Sequence, residues 1–215
     1  MKDGHRMEDE DEWPYLVSEK RDNYTSKSSY SHSNSSKLYE TAVKLIEDKE
    51  LDEALTVINM LIDRNPEDGR YWNLKGNVYY YFGNNAGIFG DRQYEESLKC
   101  YNIAIKLNPS DKILKNNKAN LLLDYANIQR LESEYVPAIH KIDEALSLFD
   151  KNNTDNSTFA RAWNIKGLCY HAMGSREAFK CYDEALKYAP DDEVIKGNIN
   201  DLRHYQGIDN EYFYG

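Results

Sequence analysis

The sequence predicts an all-α chain assembled from repeated helical hairpins, and three observations carry that expectation. The stretch WNLKGNVYYYFG at residues 72–83 returns as WNIKGLCYHAMG at residues 163–174. LKCYNIAIKLNPSDKILKNN, residues 98–117, returns as FKCYDEALKYAPDDEVIKGN, residues 179–198. Between and around these blocks the apolar residues recur at the 3.6-residue period of a helix rather than the two-residue period of a strand. Self-similarity at a fixed spacing is the signature of stacked units, each unable to bury its apolar face alone.

Both copies share one recipe. Trp72, Gly76, Tyr79, Tyr101, Ala104 and Pro109 stand in register with Trp163, Gly167, Tyr170, Tyr182, Ala185 and Pro190. The pattern resembles the tetratricopeptide repeat, a helix-turn-helix unit of about 34 residues. Lys75 and Lys166 stand where the consensus has Leu, a form similar to prokaryotic members of the family. The resemblance implies a right-handed helical-repeat solenoid of about four such units, with a C-terminal capping helix. It also implies an interaction module rather than an enzyme.

Taken in order, residues 1–36 read as a disordered tail. Acidic residues crowd Glu8 to Glu12 and serines crowd Ser26 to Ser36, leaving too little apolar surface to offset the entropy of ordering. An island of Trp13, Pro14, Tyr15, Leu16 and Val17 interrupts it, either as a linear motif, as a segment that folds onto the protein's own groove, or as an incidental patch. The repeat domain spans 37–207. A first, degenerate repeat covers 37–66, with stripes of Leu38, Ala42, Leu45 and Ile46 and of Leu51, Leu55, Ile58, Leu61 and Ile62. The second, 69–109, exceeds the unit length by NNAGIFGDR, residues 84–92, expected at the turn between its helices. The third, 111–150, has a stretched first helix and Pro137 in the first turn of its second, where a missing donor costs nothing. The fourth covers 158–190. A capping helix follows over 191–206, headed by Asp191 or Asp192 and stopped by Gly207, and 208–215 form a short tail.

Composition narrows the function. A net charge of −10 opposes a phosphate backbone, so no nucleic-acid partner is expected. No apolar run approaches a membrane span and the N-terminus lacks the apolar core of a signal peptide, which points to the cytoplasm. Cys100 and Cys181 occupy one repeat slot, and with Cys169 they form no CxxC pair, which argues for packing. The five histidines show no ligand spacing, and no nucleophile elbow or phosphate-binding loop occurs. No catalytic residue, metal or cofactor is therefore expected.

The binding expectation rests on the groove that the first helix of each repeat lines in this family. On that frame Asn73, Asn77, Asn116, Asn120 and Asn164 share one wall. The i, i+4 spacing within the first two pairs puts both amides on one helix face. An amide both donates and accepts, so it can pair with peptide backbone whatever the side chains. Arg70 and Arg161 would meet acidic groups, and Tyr80, Leu123 and Leu168 would supply apolar contact. Relatives that clamp a terminal carboxylate have slots matched here by Asn77, Asn117 and Arg161, but Asn73 and Ile165 stand where basic residues belong. The expected partner is a protein or peptide segment held in the groove. The alternatives are self-association with the tail in the groove and, more distantly, an RNA-binding helical repeat.

Overall fold

The structure, a computed structural model, describes residues 34–150, 152 and 154–207. The Trp13–Val17 island and the 208–215 tail lie outside the described residues. These residues hold nine α-helices, joined by turns, and no strand. They fall into two compact units divided between Glu67 and Asp68.

The first unit is one helical hairpin, α1 (Ser35–Glu47) and α2 (Leu51–Arg64). Asn34 starts α1 by accepting a hydrogen bond from the Lys37 N–H at 2.8 Å, satisfying a donor that the helix cannot pair internally. The facing sides bury Leu38, Ala42 and Ile46 against Ala54, Val57, Ile58 and Leu61, while Leu45, Leu55 and Ile62 stay partly exposed.

The second unit contains α3 (Gly69–Ala86), α4 (Asp91–Leu107), α5 (Lys112–Leu131), α6 (Tyr135–Leu148), α7 (Asn156–Ala172), α8 (Glu177–Tyr188) and α9 (Glu193–Tyr205). Helices α3 with α4, α5 with α6, and α7 with α8 form consecutive hairpins, and α9 packs on the last. Aspartates open four of these helices. Asp68, Asp111, Asp155 and Asp192 each accept one or two backbone N–H bonds from the following turn, between 2.8 and 3.4 Å.

The hairpin turns all pass through left-handed backbone: Lys49 (φ 65°), Gly87 (φ 59°), Ser133 (φ 67°) and Gly174 (φ 70°). A side chain resists that region, so glycine suits it at Gly87 and Gly174, whereas Lys49 and Ser133 hold it at some cost.

Only the middle of the surplus stretch 84–92 lies on the turn, and its two ends lengthen the helices. Helix α3 runs on through Ala86, a single 3-10 turn covers Gly87–Phe89, and α4 begins at Asp91. Gly83, Asn84 and Asn85 all stay helical, and the backbone first turns left-handed at Gly87, with φ 59°. The longer helices then gain their own packing, with Tyr94 buried against Gly83 and its hydroxyl donating to Asn84 Oδ1 at 2.7 Å.

Two glycines explain the repeated recipe. A Cβ on Gly76 would come within 2.7 Å of the Tyr101 ring, and one on Gly167 within 2.5 Å of the Tyr182 ring. Both tyrosines are among the most buried side chains of the protein. The tyrosine lies across the glycine because no side chain keeps the two helices apart.

The interior of the second unit is continuous across α5, α6 and α7, where Leu122, Leu123, Ile142, Phe159, Ile165 and Cys169 meet. A further cluster joins α7, α8 and α9 through Tyr182, Ile195 and Leu202. Between α3, α4 and α5 the filling is aromatic. Tyr80 faces Tyr94 at 6.4 Å, Tyr94 stacks on Tyr125 at 5.1 Å, and the Lys141 ammonium sits 4.3 Å from the Tyr125 ring centre. Cys100, Cys169 and Cys181 are buried thiols, and burial pushes each up to about 11. At neutral pH they are protonated, which suits packing.

Candidate binding cleft

The first helices of the three hairpins, α3, α5 and α7, lie side by side and present one face of side chains. On α3 this face carries Asn73, Asn77 and Tyr80 at i, i+4 and i+7; on α5 it carries Asn117, Asn120 and Asp124 at i, i+3 and i+7. Asn77, Tyr80 and the three α5 residues, together with Tyr81, Tyr101 and Arg161, surround a cleft of about 280 Å³.

The amides are partly committed to one another. Asn117 donates to Asn73 Oδ1 at 3.0 Å, and Asn198 donates to Asn164 Oδ1 at 3.0 Å. Asn73 and Asn164 share one repeat slot, as do Asn117 and Asn198, so one hydrogen bond recurs, from α5 to α3 and from α9 to α7. Asn77 Oδ1 accepts from the Tyr101 hydroxyl at 2.7 Å. The amides of Asn73, Asn77 and Asn164 have therefore spent an acceptor and offer chiefly their N–H groups, while Asn117 offers its carbonyl oxygen.

The charge of the cleft lies at Asp124. One of its oxygens accepts from the Tyr80 hydroxyl, and the other meets the Arg161 guanidinium across from α7. Burial, followed by the Asp124 charge, holds the Tyr80 phenol well above its ordinary value, so its proton stays available for that hydrogen bond. Burial does the same to Tyr101. The ion pair faces water, with the Arg161 side chain 48% exposed and that of Asp124 21% exposed.

Several expected residues sit elsewhere. Arg70 does not face an empty groove: its guanidinium clasps Asp68, the cap of its own helix, at 2.6 Å and 3.0 Å, and that pairing lowers the Asp68 carboxyl. Arg161 holds the same repeat slot, but α7 begins earlier, at Asn156, so Arg161 lies inside the helix and reaches across to Asp124. Neither arginine is thus an open receptor for acidic groups. Leu123 is 0% exposed and belongs to the core, because a one-residue step rotates a helical side chain by about 100° away from the polar face. Leu168 is half-buried and packs on the α7–α9 cluster. Asn116 is half-buried but does not line the cleft, where Asn117 takes its place. Ile165 is buried, so the carboxylate-clamp slot it holds is core. Asp124, Tyr81 and the cleft role of Tyr101 were missed by the sequence reasoning. Asn117, which the sequence placed in a carboxylate-clamp slot but not in the asparagine row, belongs on this face by repeat register: it recurs as Asn198, whereas Asn116 aligns with Gly197.

Among the described residues no group of three or more His, Cys, Asp or Glu is arranged to hold a metal ion, and no helix is long and apolar enough to cross a membrane.

No protein-family model matches the chain, and no curated protein matches it either. Among solved structures it is similar to a crystal structure of MamA protein, at 15% identity over 81% of this chain and 83% of that one, with a TM-score of 0.56. A second MamA structure aligns at 16% identity over 78% and 85%, with a TM-score of 0.53. A weaker likeness, at 21% identity over 79% and 81% with a TM-score of 0.44, is to a thermophilic TPR protein of Thermus thermophilus. The likeness to the two MamA structures establishes the fold. With the Trp, Gly, Tyr, Ala and Pro positions in register and the hairpins of the second unit consecutive, the chain has a helical-repeat fold of tetratricopeptide type.

Proposed function

We propose that this protein is an interaction scaffold that holds an extended segment of a partner protein in the cleft of α3, α5 and α7. The observation that carries the reading is a solvent-open cleft lined by three asparagines and three tyrosines. Its amide N–H groups and the Asn117 carbonyl can meet the alternating C=O and N–H groups of an extended backbone. At about 280 Å³ it lies just under the ~300–1,000 Å³ of small-molecule sites. That size suits one side chain of a longer segment better than a whole metabolite.

The test is a pull-down from lysate comparing wild type with Asn77→Ala/Asn120→Ala, with Asn120→Ala alone beside it because Asn77 also anchors Tyr101. Loss of the same partners from both variants supports the reading. Equal retention by wild type and both variants rejects the cleft as the capture site.

A further inference from the structure

The Asp124–Arg161 pair is an odd furnishing for a cleft that binds peptides. It joins α5 to α7 through one guanidinium nitrogen, at a partly exposed site where such pairs add little stability. Packing between the two helices is supplied instead by Leu122, Phe159 and Ile165. The arginine of the same slot in the second repeat, Arg70, clasps Asp68 at the start of its own helix. Arg161, by contrast, lays a cation on the cleft carboxylate.

Around Asp124 the cleft is built for a cation. The Tyr80 hydroxyl holds one carboxylate oxygen and so fixes the orientation of the other. Tyr80 and Tyr81 stack with ring centres 6.1 Å apart, and an aromatic face attracts an ammonium or guanidinium group. The Asn117 carbonyl adds a neutral acceptor, its N–H being given to Asn73. The Arg161 side chain is half exposed, so water already reaches it and can take over its solvation when it leaves Asp124. A chain of net charge −10 also draws basic segments toward it.

From this geometry, and resting on the peptide-capture reading above, we infer that the cleft selects a lysine or arginine side chain of the partner segment, which takes the place on Asp124 that Arg161 occupies in the free protein. Arg161 is then a built-in competitor that moderates affinity and rejects segments without a basic residue. Binding exchanges one ion pair for another: Asp124 changes partner, Tyr80 keeps its hydrogen bond, and the Arg161 guanidinium is returned to solvent.

A displayed library of random twelve-residue peptides, panned against the full chain, tests this. Peptides retained by wild type but not by Asn120→Ala define capture in the cleft. Lysine or arginine enrichment among them is expected, and its loss with the isosteric Asp124→Asn. Removal of the competitor in Arg161→Ala should tighten a representative peptide by about two- to five-fold, the worth of an exposed pair, and replacing its basic residue with Gln should abolish the gain. Cleft-dependent peptides with no basic enrichment, or with Asp and Glu enriched and weakened by Arg161→Ala, overturn this inference and leave peptide capture standing. A library yielding no peptide that depends on Asn120 overturns the capture reading itself, and the inference falls with it.

Discussion

Gly76→Ala isolates the contact on which the hairpin geometry rests. In a helix interior the exchange of Gly for Ala is ordinarily a gain of about 1 kcal/mol, because the freer glycine backbone loses more entropy on folding. Here the new methyl would stand 2.7 Å from Tyr101 Cε1 and 2.8 Å from Cδ1. That ring is buried and tied through its hydroxyl to Asn77, so it cannot slide aside without breaking a hydrogen bond. Overpacking of this kind costs about 1–3 kcal/mol. Gly197→Ala provides the reference, since Gly197 lies inside α9 and a Cβ there meets nothing within 4 Å. The difference between the two variants removes the common helix-propensity gain and leaves the steric cost. Urea unfolding followed by circular dichroism is expected to place Gly197→Ala above wild type by about 0.5–1 kcal/mol and Gly76→Ala below Gly197→Ala by about 1–3 kcal/mol. Equal stabilisation by both substitutions would refute the claim that the tyrosine-on-glycine approach sets the spacing of α3 and α4.

Other expected outcomes follow from particular contacts. Leu123→Ala should lose about 2–5 kcal/mol in the same assay, as befits a fully buried leucine, and a loss below about 1 kcal/mol would return Leu123 to the cleft. Asn117→Ala strips Asn73 of its donor and should cost about 0.5–1.5 kcal/mol, with Asn198→Ala costing a similar amount through Asn164. Ser133→Gly relieves left-handed backbone and should gain about 1 kcal/mol. Alkaline pH should weaken the fold. Cys100, Cys169 and Cys181 are raised from an ordinary 9.0 to about 11, and Tyr94 from 10.0 to about 12. Above pH 9 the unfolded chain therefore releases protons that the folded chain retains, and stability present below pH 9 is lost as pH rises toward 11–12. A urea midpoint that holds steady from about pH 8 to about pH 11 would contradict that burial.

The stacking was legible in the sequence because packing constraints repeat. Trp72, Gly76, Tyr101 and Ala104 recur in their slots, since the α3–α4 and α7–α8 hairpins solve the same close approach of two helices. The helix extension over 84–86 was not legible, because unit length alone cannot tell a longer helix from a longer turn until Gly87 is given its backbone angle. The cleft was half legible. The polar face of α3 followed from i, i+4 spacing, whereas on α5 the choice between Asn116 and Asn117 depends on the rotation of one helix against its neighbours. Leu123 was misplaced by that same uncertainty. Asp124 escaped because a lone carboxylate on a helix usually faces water, and its partners Tyr80 and Arg161 lie 44 and 37 residues away in the chain.

The most direct measurement of the central claim is the ¹⁵N spectrum of the backbone and asparagine side-chain amides during titration with a captured peptide. Capture between α3, α5 and α7 is expected to shift Asn77, Asn117 and Asn120 while leaving Asn102, exposed on α4, unmoved. Shifts gathered instead near Leu98, Val136 and His140, which line a separate pocket between α4 and α6, with the cleft amides unchanged, would contradict it.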